Sequence, residues 1–165
     1  MIEFEKLFKE SKGLPIVVGD REYRLLLSIN SGSRKFLHVK FCDSVERPLQ
    51  GLRIDSEAEL RVNGRKGQGF VFWRNSAPRE FDIECSPNSA LDVRNVWDNG
   101  DGVEQSWHGG AAFWLEMTGE TIRLHANSTL QNDKCEDMTV ELSWRNEPSN
   151  SQVTRKSWLS KIFKL

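Results

Sequence analysis

From about residue 15 to residue 145 the chain is a succession of short runs in which apolar and polar residues alternate, separated by Gly, Asn, Asp and Pro. A period of two puts alternate side chains on opposite faces of a pleated strand, and the punctuating residues are those that supply turn geometry. Tyr23, Leu25, Leu27 and Ile29 alternate with Arg24 and Ser28. Ser31-Gly32-Ser33 then turns the chain into Leu37, Val39 and Phe41, which reads as a hairpin. Ala58, Leu60 and Val62 lead into Asn63-Gly64, the dipeptide that most readily supplies two positive φ angles, and Phe70 to Trp73 follow as the return strand. Phe81, Ile83 and Cys85 form the next strand and Leu91 to Trp97 another. Ala111 to Met117 returns through Thr118-Gly119-Glu120 into Ile122, Leu124 and Ala126, and Met138, Val140, Leu142 and Trp144 close the series.

About nine or ten strands with turn signals roughly every 8–12 residues, and no helical period between them, predict an antiparallel all-β fold. The short runs and unequal loops favour a jelly-roll-like β-sandwich. A chain of 165 residues is the size of one domain and buries enough surface to need no staples. We place that domain at 1–147. At its start, residues 3–12 predict one short helix, with Glu3 and Glu5 in its first turn, Lys9 and Lys12 in its last, and Gly13 and Pro15 stopping it. After it, 148–165 reads as a polar linker and a short amphipathic helix, with Trp158, Leu159, Ile162 and Phe163 on one face.

Composition narrows the function classes. A net charge of −1 and a pI near 6.3 give no basic footprint for nucleic acid. The N-terminus lacks the unbroken apolar run of a signal peptide, and no stretch approaches the roughly 20 apolar residues that span a bilayer. Cys42, Cys85 and Cys135 are odd in number and widely spaced, which suits a reducing, cytoplasmic compartment and inert thiols, and not paired zinc ligands. No cofactor motif is present, and the nucleophile elbow, the His-Glu-x-x-His pair and the phosphate-binding Gly-rich loop are all missing.

The densest functional vocabulary lies in 97–110, between two clear strands: Trp97, Asp98, Asp101, Glu104, Trp107 and His108. Rings there can stack on a planar ligand, and the carboxylates can accept hydrogen bonds from hydroxyls. The same residues could instead cap the core and make turns. His108 is the one histidine in this loop, and pairing with Glu104 or Asp101 would make it a general base. His38 and His125 fall on polar-alternating strand faces. Oxygen-rich turns also raise calcium, with Asp98, Asp101, Asp133, Glu136 and Asp137 as candidate ligands, although the EF-hand register fails because Trp97 and His108 would occupy its first and twelfth positions.

Asp133-Lys134-Cys135-Glu136-Asp137-Met138-Thr139-Val140 resembles the acidic turn, ending Asn/Asp-Asp-Leu-Val, that leads into the final strand of several uncharacterised bacterial β-sandwich domains. Some of those domains are thought to bind calcium. Lys134 and Cys135 stand where that pattern has an acidic residue and an aromatic.

The last eleven residues carry Arg155, Lys156, Lys161 and Lys164 and no acid, a charge of +4 that leaves −5 for the remainder. Such a segment can fold back on the acidic body, dock in a partner's groove through Trp158, Ile162 and Phe163, or lie on an anionic membrane. Back-packing is favoured, because so short a segment is hardly helical alone. The leading expectation is therefore a non-enzymatic binding module, such as an immunity, defence or accessory protein, that uses 97–110 to hold a protein partner or small ligand. A hydrolase-like enzyme using His108 with a nearby carboxylate is the alternative, and a carbohydrate- or calcium-binding lectin-like domain the third.

Overall fold

The computed structural model describes residues 1–128 and 134–149. It contains α1 (Phe4–Glu10), β1 (Ile16–Val18), β2 (Arg21–Tyr23), β3 (Leu27–Asn30), β4 (Phe36–Ser44), β5 (Leu49–Val62), β6 (Arg65–Trp73), β7 (Glu80–Cys85), β8 (Ala90–Asp98), β9 (Ala112–Thr118), β10 (Thr121–Asn127) and β11 (Met138–Arg145). All pairings are antiparallel. β1 and β2 form a small sheet, and the rest form one curled sheet ordered β3-β8-β5-β7-β4-β11-β10-β9, with β6 also on β5.

The curl is built into β5. Its first half, from Leu49, pairs with β8 on one side and β6 on the other, and the pairing with β6 shifts register between Asp55 and Leu60. Beyond that irregularity Leu60 and Arg61 pair with Cys85 and Glu84 of β7. A bulge of this kind bends a strand and raises its local twist, so one 14-residue strand serves two parts of the sheet. The alternating residues of the sheet's two parts meet in one large cluster: Leu27, Leu52, Ile54, Phe72 and Leu91 from one part, Leu37, Val39, Phe81, Ile83, Leu124 and Leu142 from the other. Phe72 and Phe81 meet across it, ring centroids 4.5 Å apart.

The Asn63-Gly64 turn adopts φ of 49° and 84° and closes β5 on β6 at Val62↔Arg65. The 23–41 stretch is different from its sequence reading. Tyr23 belongs to β2, the strand is interrupted over 24–26, where Arg24 bridges to Phe113, and β3 pairs with β8 while β4 pairs with β7 and β11. The expected hairpin is therefore absent. Ser31 and Gly32 instead tie to the 86–89 turn, where Ser31 N donates to Ser89 O and Asn88 N donates to Gly32 O. A run of alternating residues fixes which face is buried, not which strand lies alongside.

α1 is shorter than the 3–12 span. Phe4 and Phe8 are buried in a second cluster with Tyr23, Ala112 and Cys135, Phe4 lying 4.9 Å from the Tyr23 ring. The helix ends with Lys12 and Gly13 at positive φ and Gly13 N donating to Phe8 O, the left-handed stop that glycine allows. The proposed tail helix, with Trp158, Ile162 and Phe163, and the candidate ligand Asp133 lie outside the described residues. Among the described residues no helix is long and apolar enough to cross a membrane.

Candidate functional site

The 97–110 loop leaves the end of β8 and returns along it. β3 accompanies β8 only as far as Val93, which leaves the backbone of Trp97 open at that edge, and Gln105 fills it: Trp97 N donates to Gln105 O at 3.1 Å and Gln105 N to Trp97 O at 2.8 Å. The loop is thereby fixed to the sheet at its middle. Asp98 Oδ1 accepts from Gly100 N and Gly102 N, and Asp101 Oδ1 accepts from Val103 N. These two aspartates build the turn with one oxygen each. Gly109 N donates to Glu5 of α1 at 3.2 Å, and the Lys9 ammonium, together with that amide, holds the Glu5 carboxyl below its ordinary range.

The remaining loop side chains meet a charged patch on the polar face of β5 and β8. Register sets Arg53 opposite Arg94 and Asp55 opposite Asp92. Arg53 Nε donates to Asp55 at 3.0 Å and its Nη1 donates to both Glu104 oxygens at 3.0 and 3.1 Å. Arg94 Nη1 reaches Asp55 at 3.3 Å, and its guanidinium lies 4.3 Å from the Trp107 ring centroid. Burial and the neighbouring Arg53 charge lower the Arg94 pKa, whereas Asp55 and Glu104 raise that of Arg53. Gly69 of β6 is required here, because a Cβ at that position would stand 2.5 Å from Asp55 Oδ1.

Glu104 and Trp107 thus clasp the loop to two arginines. Trp107 nevertheless remains 52% exposed, as does Val103, and Trp107 holds φ at 63°, a region costly for a large side chain. Trp97, by contrast, is buried at 3% and packs against the His108 ring at 5.3 Å. His108 Nε2 is bonded to Gln105 Oε1 at 2.7 Å; Glu104 is turned to Arg53 and Asp101 to Val103. Asp98, Asn99 and Gly100 line an open depression with Glu46, Arg47, Pro48 and Leu49.

The acidic turn before β11 is separate from this loop's ion pairs. Asp137 is buried and its Oδ2 accepts from Ser128 N and Oγ, both at 2.8 Å. Ser128 Oγ also accepts from Gln50 Nε2. Among the described residues no group of three or more His, Cys, Asp and Glu side chains is placed to hold a metal, and Glu136 is exposed.

A second charged cluster sits where the chain leaves β11. His38 lies on the face expected for it yet is only 4% exposed. Its Nδ1 is 2.7 Å from Asp82 Oδ1 and its Nε2 is 3.6 Å from Glu80. Asp82 Oδ2 accepts from Ser149 N at 2.6 Å and Ser149 Oγ at 2.8 Å. Burial raises the Asp82 pKa, but the bonds from His38 and Ser149 outweigh it and the carboxyl lies below its ordinary value.

Arg53, Asp55, Gly69, Arg94 and the Asp82–Ser149 contact are not apparent from motifs. The signal that could have found the first group is the charge order Arg53-x-Asp55 and Asp92-x-Arg94 on two polar strand faces, which an antiparallel pairing brings together. Comparison with known proteins gives no matching family model, no matching curated relative and no matching solved structure.

Proposed function

We propose that the protein is a non-enzymatic docking module whose contact surface is the 97–110 loop, with Trp107 as its anchor and a protein as its partner. One observation carries this reading: a half-exposed tryptophan in a strained backbone conformation is held in place by an ion-paired arginine on a rigid sheet. Strain of this kind persists where the surroundings over-determine it, and such places cluster at binding surfaces. Aromatic anchors carry most of the energy of many interfaces, and one ordered in advance loses less entropy on binding. The scaffold we assign to it is the jelly-roll-like sandwich over 1–147, supported by the large cluster that the two parts of the curled sheet share. The three cysteines are thiols, which supports a reducing, cytoplasmic setting. The hydrolase reading gains no support from His108, whose side-chain partner is an amide.

The test uses a photo-crosslinking amino acid at position 107 in the producing cells, with the same residue at Glu120 as control. We expect a protein that crosslinks at 107 and not at 120, and that, once purified, binds the intact chain reversibly. Equal crosslinking at both positions, or a captured protein that does not bind when purified, would refute the docking role.

A further inference from the structure

The clasp under the loop has a chemical asymmetry. Two arginines stand directly opposite each other on neighbouring strands, an arrangement that is destabilising unless anions neutralise it. Asp55 supplies one anion from the sheet itself. The other, Glu104, comes from the loop and reaches only Arg53. Arg94 Nε is buried with no acceptor, while the face of its guanidinium is covered by Trp107. A buried charged donor without a partner is costly.

We propose that the Arg53–Arg94 pair is a carboxylate-binding site for an acidic side chain of the docking partner, and that Glu104 occupies this site when the protein is alone. The proposal rests on the docking reading above and names the partner's chemistry. In the exchange Glu104 swings out and the partner's carboxylate takes its place at Arg53 beside Arg94, so the site's charge is unchanged. Asp55 keeps its bonds to both arginines, and Asp92 stays with Ser28 Oγ at 2.5 Å, so the arginines remain positioned. Because Glu104 is tethered, it competes at an effective concentration of roughly millimolar. A free acid is therefore a poor ligand for the native protein, and a partner must add contacts, which Trp107 offers.

The probe is N-acetyl-glutamate amide, with N-acetyl-glutamine amide as the neutral control, titrated into the full chain while the arginine Nε–H and Trp107 indole NMR signals are followed. Glu104→Gln should bind the acidic probe at least about tenfold more tightly than the native chain, with shifts at Arg53 and Arg94, and the control should bind neither protein. Adding Arg94→Gln should abolish the gain. Glu104→Ala serves the same purpose if the glutamine side chain retains a bond to Arg53 or that variant does not fold. In the native chain, a high concentration of the acidic probe should shift the same arginine signals. No gain on removal of Glu104, or a gain that survives Arg94→Gln, would overturn the proposal. The docking reading is judged separately, by whether Trp107→Ala weakens the crosslinked partner.

Discussion

Replacing Asp82 by Asn isolates the charge that ties the chain after β11 to β7. The carboxylate side chain is 12% exposed and receives one bond from His38 and two from Ser149. Hydrogen bonds to a charged group contribute about 1.5–3 kcal/mol each, but Asn keeps one acceptor oxygen and most of the volume. The net loss should therefore be about 2 kcal/mol near neutral pH, or roughly 4–8 °C in Tm for a chain of this size. The pH dependence follows from linkage. The folded pKa of Asp82 is depressed, so its contribution is fully present above the unfolded value, about 3.9, and is lost as pH falls through the folded pKa. Chemical denaturation of both proteins from pH 7 to pH 3 should show a constant difference down to about pH 5 that then shrinks. A difference under about 0.5 kcal/mol at pH 7, or one that grows on acidification, would refute the account of this contact.

Gly69→Ala should destabilise by about 1–3 kcal/mol, because its Cβ would press on Asp55 Oδ1 at 2.5 Å and force apart the pairs with Arg53 and Arg94; thermal unfolding measures it, with Gly67→Ala, whose nearest contact is a Phe70 ring atom at 3.2 Å, as the milder comparison. Thiol titration should find three reactive groups after denaturation and at most Cys42 reacting quickly in the native state. Burial pushes the Cys85 pKa up to about 11 and Cys135 is fully buried, whereas Cys42 is partly exposed. Rapid native reaction of two or more thiols would contradict that packing.

Alternation exposed most of the sheet to a reading of the sequence. Leu37, Val39 and Phe41, Phe81, Ile83 and Cys85, and Met138, Val140 and Leu142 are buried because each strand has one face on the core, and a period of two records that directly. Asn63-Gly64 marked its turn because the two positive φ angles are a local property. The failures concern non-local pairing. Four strands lie in sequence between β3 and its partner β8, and the first half of β5, with Gly51, Leu52 and Ile54, carries no turn signal to announce that one strand continues through a bulge. The loop was identifiable by composition, but the roles within it were not. Trp97 and Trp107 are the same residue type ten positions apart, one buried and one half-exposed. The difference comes from Arg94 and Arg53, which only strand register brings beneath the loop. The polar-alternating face of His38 was legible but its partners were not, because Asp82 and Ser149 are distant in sequence and close in space.

Whether Trp107 anchors a partner is decided by the affinity of the crosslinked protein for the native chain and for Trp107→Ala, measured with the two unfolding curves. Kd should rise about tenfold or more, as for an anchoring aromatic, while Tm moves by no more than a few degrees, as for a half-exposed loop residue. An unchanged Kd, or a Kd that rises only in step with a large loss of Tm, would mean that Trp107 serves the fold and not the partner.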